Sequence, residues 1–309
     1  MLNVKLGLAM AALAGFAVQG ALAGDAFRAL VFSKTAGFRH GSIPSGIAMM
    51  QQLAADNCFE IETSESSSIF NAADLARFDV VIFLCTTGNI LNETEQAAFE
   101  TWFRAGGGFV GIHSATDTEY QWPFYGQLVG AYFSNHPAIQ NATITIEDRD
   151  HPSTSFLADQ WARRDEWYNF ATNPRPLVRV LATLDESSYN GGQMGADHPI
   201  VWCREFEFEG GRSWYTAGGH TSESYSEPEF RRHVLGGVFW AAGAPLAQVP
   251  GDADFSGRVG FADITAILGG LGTVALPGQT PLLGDADASG AVSFADITTA
   301  LANLGNVCQ

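Results

Sequence analysis

Three histidines stand where the sequence is best placed to do chemistry. His40 in SKTAGFRHGS, His113 in FVGIHSATDTE and His220 in GGHTSESYSEP each follow a short apolar run of β-prone residues. In an open α/β sheet the carboxyl ends of the strands border the crevice where ligands bind. Imidazoles brought from separate strand ends to one rim can hold a divalent ion such as Zn²⁺, or work as an acid/base cluster. Further ionisable residues follow the same pattern: Asp117 and Glu119 directly after His113, His136 in SNHP, Asp165 and Glu166 in RRDEWYNF, and Glu223 after His220. We take His113, His40 and His220 as the core of the candidate catalytic and metal site, with Asp117, Glu166 and His136 next to it. The competing reading of His113 is a hydrogen-bonded core histidine, with the acids after it capping the next helix. No HExxH or CxxC pair occurs, so spacing alone names no metal. A glycosidase-like acid pair among Asp117, Asp165 and Glu166 requires carboxylates roughly 5 to 9 Å apart. Pairing with Arg39, Arg163 or Arg164 is the alternative. His151 and His198 precede prolines and are expected in turns, and His233 lies in a helix where a surface position is expected.

A second set of ligands is duplicated. GDADFSGRVGFADITAILGGLG, from Gly251, returns as GDADASGAVSFADITTALANLG from Gly284. Asp252, Asp254 and Ser256 occupy positions 1, 3 and 5 of a calcium loop, Gly257 the sharp turn at position 6 and Asp263 position 12; Arg258 would ligate through its backbone carbonyl at position 7. The second copy supplies Asp285, Asp287, Ser289, Gly290, Asp296 and the carbonyl of Ala291. Hard oxygen donors on alternate residues suit Ca²⁺. Asp-rich turns without metal are the bland alternative. Neither unit can bury an apolar face alone, so the two are expected to pack together.

The elements that must position the histidines alternate. AFRALVFS, FEIETSE, FDVVIFLCTT and FVGIH read as strands, separated by helices over SIPSGIAMMQQLAADN, NAADLARF and LNETEQAAFETWFRAG, with Ser42 and Asn92 as expected caps. This alternation specifies a doubly wound α/β sheet. Strands follow at NATITIED, RPLVRVLATLD and HPIVWCREFEFEGGRSWYTAGG, some antiparallel, since FEFEGGRSWY carries a Gly-Gly hairpin signature. EPEFRRHVLGGVFWAAG closes the domain as a helix. With 309 residues and 46% hydrophobic content, the chain is long enough for one large domain and a small one.

Residues 1–23 combine Lys5, an apolar run and Ala21-Leu22-Ala23, the pattern of a secretory signal cleaved before Gly24. Export follows as an expectation, leaving the protein secreted, periplasmic or at the cell surface. A membrane anchor is the alternative, although the run is short and broken by Gly15, Gln19 and Gly20. A net charge of -17 argues against nucleic acid or an anionic membrane as partner. No GxGxxG fingerprint signals a dinucleotide. Four scattered cysteines allow one disulfide after export but do not reveal its pairing.

Two resemblances follow from these residues. Residues 250–305, with Asp at position 12 and a helix after each loop, resemble type I dockerins, which implies a calcium-ordered module that docks a cohesin-like domain on a scaffold or cell surface. The spacer VALPGQTPLL is longer than in cellulosomal dockerins. FSKTAGFRHGSIPSGI, TTGNILN, GGGFVGIHSATDTEYQWPFYGQLVGAYF, DEWYNF, LATLDESSYNGGQMGADHPIVWC and GRSWYTAGGHTSESY resemble the trehalose-utilisation (ThuA-like) family over residues 27–243. That resemblance implies a class I glutamine amidotransferase-like fold: α/β, with a doubly wound, mostly parallel sheet, here followed by a small all-α calcium-loop module. The expected divisions are 1–23 signal, 24–245 α/β domain, 246–250 linker and 251–309 dockerin-like domain.

Amidotransferases of that fold hold a nucleophilic Cys in a GxCxG turn. The matching turn here, Gly111-Ile112-His113-Ser114-Ala115, puts His113 at the nucleophile position, so glutamine hydrolysis is not expected. Cys85 follows a different strand, and Ser114 would need a base within reach. The resemblance also implies a carbohydrate substrate: trehalose-like disaccharides, glycosides or their 3-keto derivatives. Trp122, Tyr125, Trp167, Tyr168 and Trp214 are candidate stacking surfaces for a pyranose, with core packing as the alternative for each. A non-catalytic glycan-binding or surface-assembly protein is the competing class.

Overall fold

Five-residue apolar runs become the central strands of the sheet. The computed structural model describes residues 27–206, 210–245, 250–254, 256–274 and 282–306. The expected leader, most of the expected linker and residues 275–281 of the spacer lie outside the described residues.

In chain order the α/β domain runs β1 (Arg28–Phe32), α1 (Ile43–Asp56), β2 (Glu60–Ser64), α2 (Ala72–Leu75), β3 (Val80–Leu84), α3 (Glu93–Arg104), β4 (Gly108–Ile112), α4 (Pro123–Val129), β5 (Phe133–Asn135), β6 (Gln140–Ile146), β7 (Gln160–Asp165), β8 (Asn169–Phe170), β9 (Arg179–Asp185), β10 (Pro199–Glu205), β11 (Arg212–Thr216) and α5 (Pro228–Ala242). The 9-stranded sheet has the order β2-β1-β3-β4-β11-β10-β9-β6-β7. From β2 to β11 neighbouring strands are parallel, and from β11 to β7 each pair is antiparallel. All strands except β6 and β10 therefore point the same way. The expected doubly wound, mostly parallel sheet is present in this form, with an antiparallel extension. β10 and β11 pair as the antiparallel hairpin that Gly210 and Gly211 announced, and residues 207–209 lie outside the described residues.

Burial follows the pattern. β3 and β4 are buried along their whole length, as strands covered on both faces must be. Phe83 packs against Phe32, Phe70, Phe99, Phe109 and Tyr125, joining the sheet to the helices on it. Asn92 caps α3 in a full capping box with Glu95. Ser42 precedes α1 without capping it; its hydroxyl instead donates to the carbonyl of Gly219 across the domain, at 3.2 Å. His233 is buried in α5, facing the Ser153 carbonyl and the Thr216 hydroxyl, so the expectation of a surface position is corrected. β7 and the small β5–β8 sheet were not anticipated.

The C-terminal module has α6 (Phe261–Gly270) and α7 (Phe294–Ala302), one after each loop, packed around Ala253, Val259, Ile267, Ala286, Val292 and Ala300. Among the described residues no helix is long and apolar enough to cross a membrane. Cys58 is disulfide-bonded, and Cys85 and Cys203 are free.

Candidate functional site

The sequence leads His113 into the cleft through a strained turn. β4 ends at Ile112, and His113 opens a 3-10 turn with φ +53°, a left-handed conformation uncommon outside glycine. Its own groups hold it there. The His113 carbonyl accepts from Tyr215 Oη at 2.8 Å, and its ring packs on Tyr168 with centroids 4.3 Å apart. His113 Nδ1 faces the carbonyl oxygen of Ala217 at 2.9 Å. That carbonyl can only accept, so Nδ1 carries the proton and Nε2 is left with a lone pair.

His40 and His220 come to that lone pair from two other strand ends. His40, in the loop after β1, places Nε2 3.1 Å from His113 Nε2. His220, four residues past the end of β11, places Nδ1 at the same distance of 3.1 Å. Glu166 follows β7 directly, with Oε2 3.0 Å from His220 Nδ1 and 3.6 Å from His113 Nε2. All four residues thus follow the carboxyl ends of strands that run in one direction, β1, β4, β7 and β11. His136, after β5, adds Nδ1 at 3.0 Å from the other Glu166 oxygen and keeps its ring partly exposed.

β7 lies at the sheet edge, and Asp165 fastens its end to the His220 loop. One Asp165 oxygen accepts from the backbone N–H of Gly219 at 2.8 Å and from Ser224 Oγ at 3.0 Å; the other accepts from the N–H of His220 at 3.1 Å and of Glu166 at 3.0 Å. Gly219 has φ +113°, and a Cβ there would meet the Tyr225 hydroxyl at 2.7 Å, so only glycine fits this turn.

The donor set fits a divalent first-row metal. His40, His113, His220 and Glu166 offer one atom each within 4.8 Å of one another. A tetrahedral ion with bonds of about 2.0–2.1 Å sets its ligand atoms roughly 3.3–3.4 Å apart, close to the separations of 3.0 to 3.6 Å seen here. Burial, with the neighbouring His113 and His220, lowers the His40 pKa to about 3, which keeps a neutral ring as a ligand requires. Burial pushes Glu166 up, but the neighbouring imidazoles of His113 and His220 outweigh it and bring the carboxyl down to about 2. The Ala217 carbonyl on His113 and the Ser114 hydroxyl, 3.3 Å from His40 Nδ1, orient the rings from outside.

The other candidates divide. Asp117 stays outside the group of four; its carboxylate accepts from Tyr120 Oη at 2.7 Å, and burial raises its pKa. The Cys85 thiol is buried and pushed up to about 12 by desolvation, which leaves it protonated and unsuited to nucleophilic attack. Ser114 does have an imidazole in reach but is itself fully buried. Trp122, Tyr125, Trp167, Tyr168 and Trp214 are all buried; of these, Tyr168 lies against the cluster, its ring 4.3 Å from that of His113 and 6.0 Å from that of His136. The anchoring role of Asp165 was not read from the sequence. Its signal is the DE pair at a strand end, where successive side chains point to opposite sides.

The two Asp-rich loops have the shape their spacing predicts. Asp252, Asp254 and Asp263 converge, as do Asp285, Asp287 and Asp296. Gly257 and Gly290 take φ of +85° and +84° at position 6. Ser256 Oγ lies 3.2 Å from the Arg258 carbonyl oxygen, and Ser289 Oγ lies 3.2 Å from that of Ala291, so these oxygens gather beside the carboxylates. Burial and the charges of Asp254 and Asp263 push Asp252 well above the ordinary carboxylate range. The loops differ in setting. Arg258 Nη1 pairs with Asp56 at 3.3 Å and the Ser256 carbonyl accepts from Asn57 Nδ2 at 3.3 Å, so the first loop rests on the end of α1. In the second loop Ala291 stands where Arg258 does.

Comparison with known proteins follows the α/β domain. A ThuA-like protein from Bacteroides uniformis ATCC 8492 is similar over 74% of this chain and 95% of its own, with TM-score 0.61 and 22% identity. One from Parabacteroides merdae ATCC 43184 is similar over 73% and 93%, with TM-score 0.59 and 18% identity. At these identities the likeness is one of fold. No curated protein matches the chain. The family described as "ThuA: Trehalose utilisation" matches residues 28–241, the whole span that carries the histidine cluster, and this chain belongs to that family.

Proposed function

We propose that this chain is an exported, metal-assisted enzyme acting on trehalose-like disaccharides, glycosides or their 3-keto derivatives. The observation that carries the reading is the convergence of one donor atom each from His40, His113, His220 and Glu166 within 4.8 Å of one another, with His113 Nε2 3.1 Å from both His40 Nε2 and His220 Nδ1. A divalent ion held there, zinc or a similar metal, supplies Lewis acidity toward a sugar carbonyl or hydroxyl oxygen. The chain's own groups do the rest. His113, locked by Ala217 and Tyr215, fixes the donor geometry, and Glu166 brings the one negative charge. His136 has Nδ1 turned to Glu166, so Nε2 is the nitrogen that exchanges a proton with a substrate hydroxyl at the mouth. A carbohydrate role in general agrees with the family described as trehalose utilisation.

The leader-like residues 1–23 support export, and the duplicated loops support a calcium-dependent module that docks on a cohesin-like or cell-surface scaffold partner. The test is metal analysis of the purified full chain after equilibration with zinc, together with turnover of trehalose and 3-ketotrehalose. One equivalent of metal in the α/β domain, lost in His113→Ala along with turnover, is expected. Absence of a bound transition metal, with sugar turnover unchanged in His113→Ala, would overturn the reading.

A further inference from the structure

Among the described residues of the α/β domain the exposed large hydrophobics are Phe38 at 65%, Leu177 at 53% and Tyr120 at 40%. One of the three, Phe38, lies against a histidine of the cluster. Tyr120 is already committed: its hydroxyl donates to Asp117 and its ring stacks on Tyr132 with centroids 4.8 Å apart. Phe38 is different. Its ring meets the His40 imidazole edge-on, centroids 4.9 Å apart at 84°, and otherwise faces solvent.

An exposed phenyl on a loose loop needs no explanation, but this loop is pinned. The Phe38 carbonyl accepts from Thr87 Oγ1 at 2.9 Å, and the N–H groups of Ala36 and Gly37 donate to the Thr87 carbonyl at 2.7 and 3.3 Å. An isolated bridge pairs Thr35 with Thr87 just before it. The chain thus holds an apolar ring rigidly in water, two residues from a candidate metal ligand. Preorganisation of this kind lowers the entropy lost when a ligand is captured.

We propose that Phe38 is the stacking platform for a pyranose ring bound at this site. A pyranose has an apolar face of C–H groups that suits the negative face of an aromatic ring. Its hydroxyls would then reach the polar pair His136 and Glu166 beside the cluster. The inference rests on the carbohydrate reading above and adds the residue that selects a ring-shaped sugar.

The test uses the full chain, with trehalose and methyl α-D-glucopyranoside as probes and saturation-transfer NMR titration as the readout. Phe38→Ala is expected to weaken binding about tenfold, the loss of one well-packed aromatic contact, while Phe38→Trp keeps it. Phe38→Leu, similar in size but without a π face, should bind as poorly as Phe38→Ala, and it carries the test if the alanine variant folds badly. Binding by Phe38→Ala or Phe38→Leu at the wild-type level overturns the platform and leaves the carbohydrate reading intact. Failure of the wild-type protein to bind either probe overturns both.

Discussion

Replacing Asp165 by Asn tests the site without touching a ligand. The side chain is fully buried, and its four accepted hydrogen bonds divide between its two oxygens, Gly219 N and Ser224 Oγ on one, His220 N and Glu166 N on the other. Asn has the same shape but a single oxygen. Whichever way the amide turns, its NH₂ group faces donors, so two of these bonds are lost and the others no longer end on a charge. Hydrogen bonds to a charged partner contribute roughly 1.5–3 kcal/mol each, and losing two costs about 3 kcal/mol at the low end of that range. In a domain of this size 1 kcal/mol moves Tm by about 2–4 °C, which gives a drop of about 6–12 °C.

Release of the loop would also affect an ion held by the histidine cluster. His220 and Glu166 are held in register by the same carboxylate, and loss of such an outer partner typically lowers metal affinity about 10–100-fold. Competition between the full chain and a chromophoric zinc chelator measures this, with differential scanning calorimetry for Tm. Ser224→Ala is the control, since it removes one bond at the far side of Asp165 and leaves both ligand backbones fastened. It should lower Tm slightly and leave zinc affinity within about twofold. An Asp165→Asn protein that melts as the wild type does, or binds zinc as tightly, would refute the reasoning.

Acid should destabilise the fold well before the carboxylates titrate. Burial lowers His233 to about 3, with Arg163 adding to the shift, and burial lowers His151 likewise to about 3, with Arg179 adding. Both are kept neutral in the fold but protonate when unfolded near pH 6.5, so their stability contribution is complete above that pH and is lost as pH falls toward 3. Each contributes up to about 1.4 kcal/mol per pH unit; urea unfolding between pH 6.5 and 5 should show the slope, and His233→Gln should reduce it by one proton's worth. The two Asp-rich loops, proposed above to bind calcium, should also respond unequally to the same change. A Cβ on Gly257 would lie 1.9 Å from the Asp56 carbonyl oxygen, whereas Gly290 has nothing within 4 Å. Both have positive φ, so Gly257→Ala and Gly290→Ala share that strain and differ in the clash. Circular dichroism with calcium added and removed should show a larger loss of calcium-dependent folding for Gly257→Ala; equal effects would mean the first loop does not rest on α1.

The parallel half of the fold was legible because its strands are buried on both faces and read as continuous apolar runs, VVIFL being the plainest. The edge was not. β7, QWARRD, turns Arg163 and Asp165 inward beside a half-covered Trp161 and leaves Gln160, Ala162 and Arg164 exposed, so charged residues take most of its inner face, unlike an ordinary amphipathic strand. Polar residues go inside there because they fasten loops, with Arg163 reaching Glu227 at 2.7 Å and Asp165 reaching the His220 turn. The same limit applies at the site. Three histidines at strand ends could be aligned on one rim by topology, and they do converge. Which aromatics face the mouth could not be read, because Trp and Tyr carry no sign of burial in their neighbours, and those nominated from sequence form the core while Phe38 and Tyr120 are exposed.

Backbone strain separates the residue that presents chemistry from those that support it. Among the described residues of the α/β domain four non-glycine residues have positive φ, Cys58, Cys85, His113 and Glu119, and all but Cys58 follow β3 or β4. Such conformations cost roughly 1–3 kcal/mol each and persist where surrounding contacts over-determine them. For Glu119 the contacts are plain: its carboxylate accepts from the N–H groups of Ile90 and Leu91 and from Gln96, closing the loop beside the cleft. Cys85 is sealed in the core, its thiol against the Tyr225 hydroxyl. His113 alone of the three turns a lone pair toward other ligands. The strained turn here aims an imidazole whose Nδ1 is already tied to the Ala217 carbonyl, so Nε2 is the nitrogen that faces His40, His220 and Glu166.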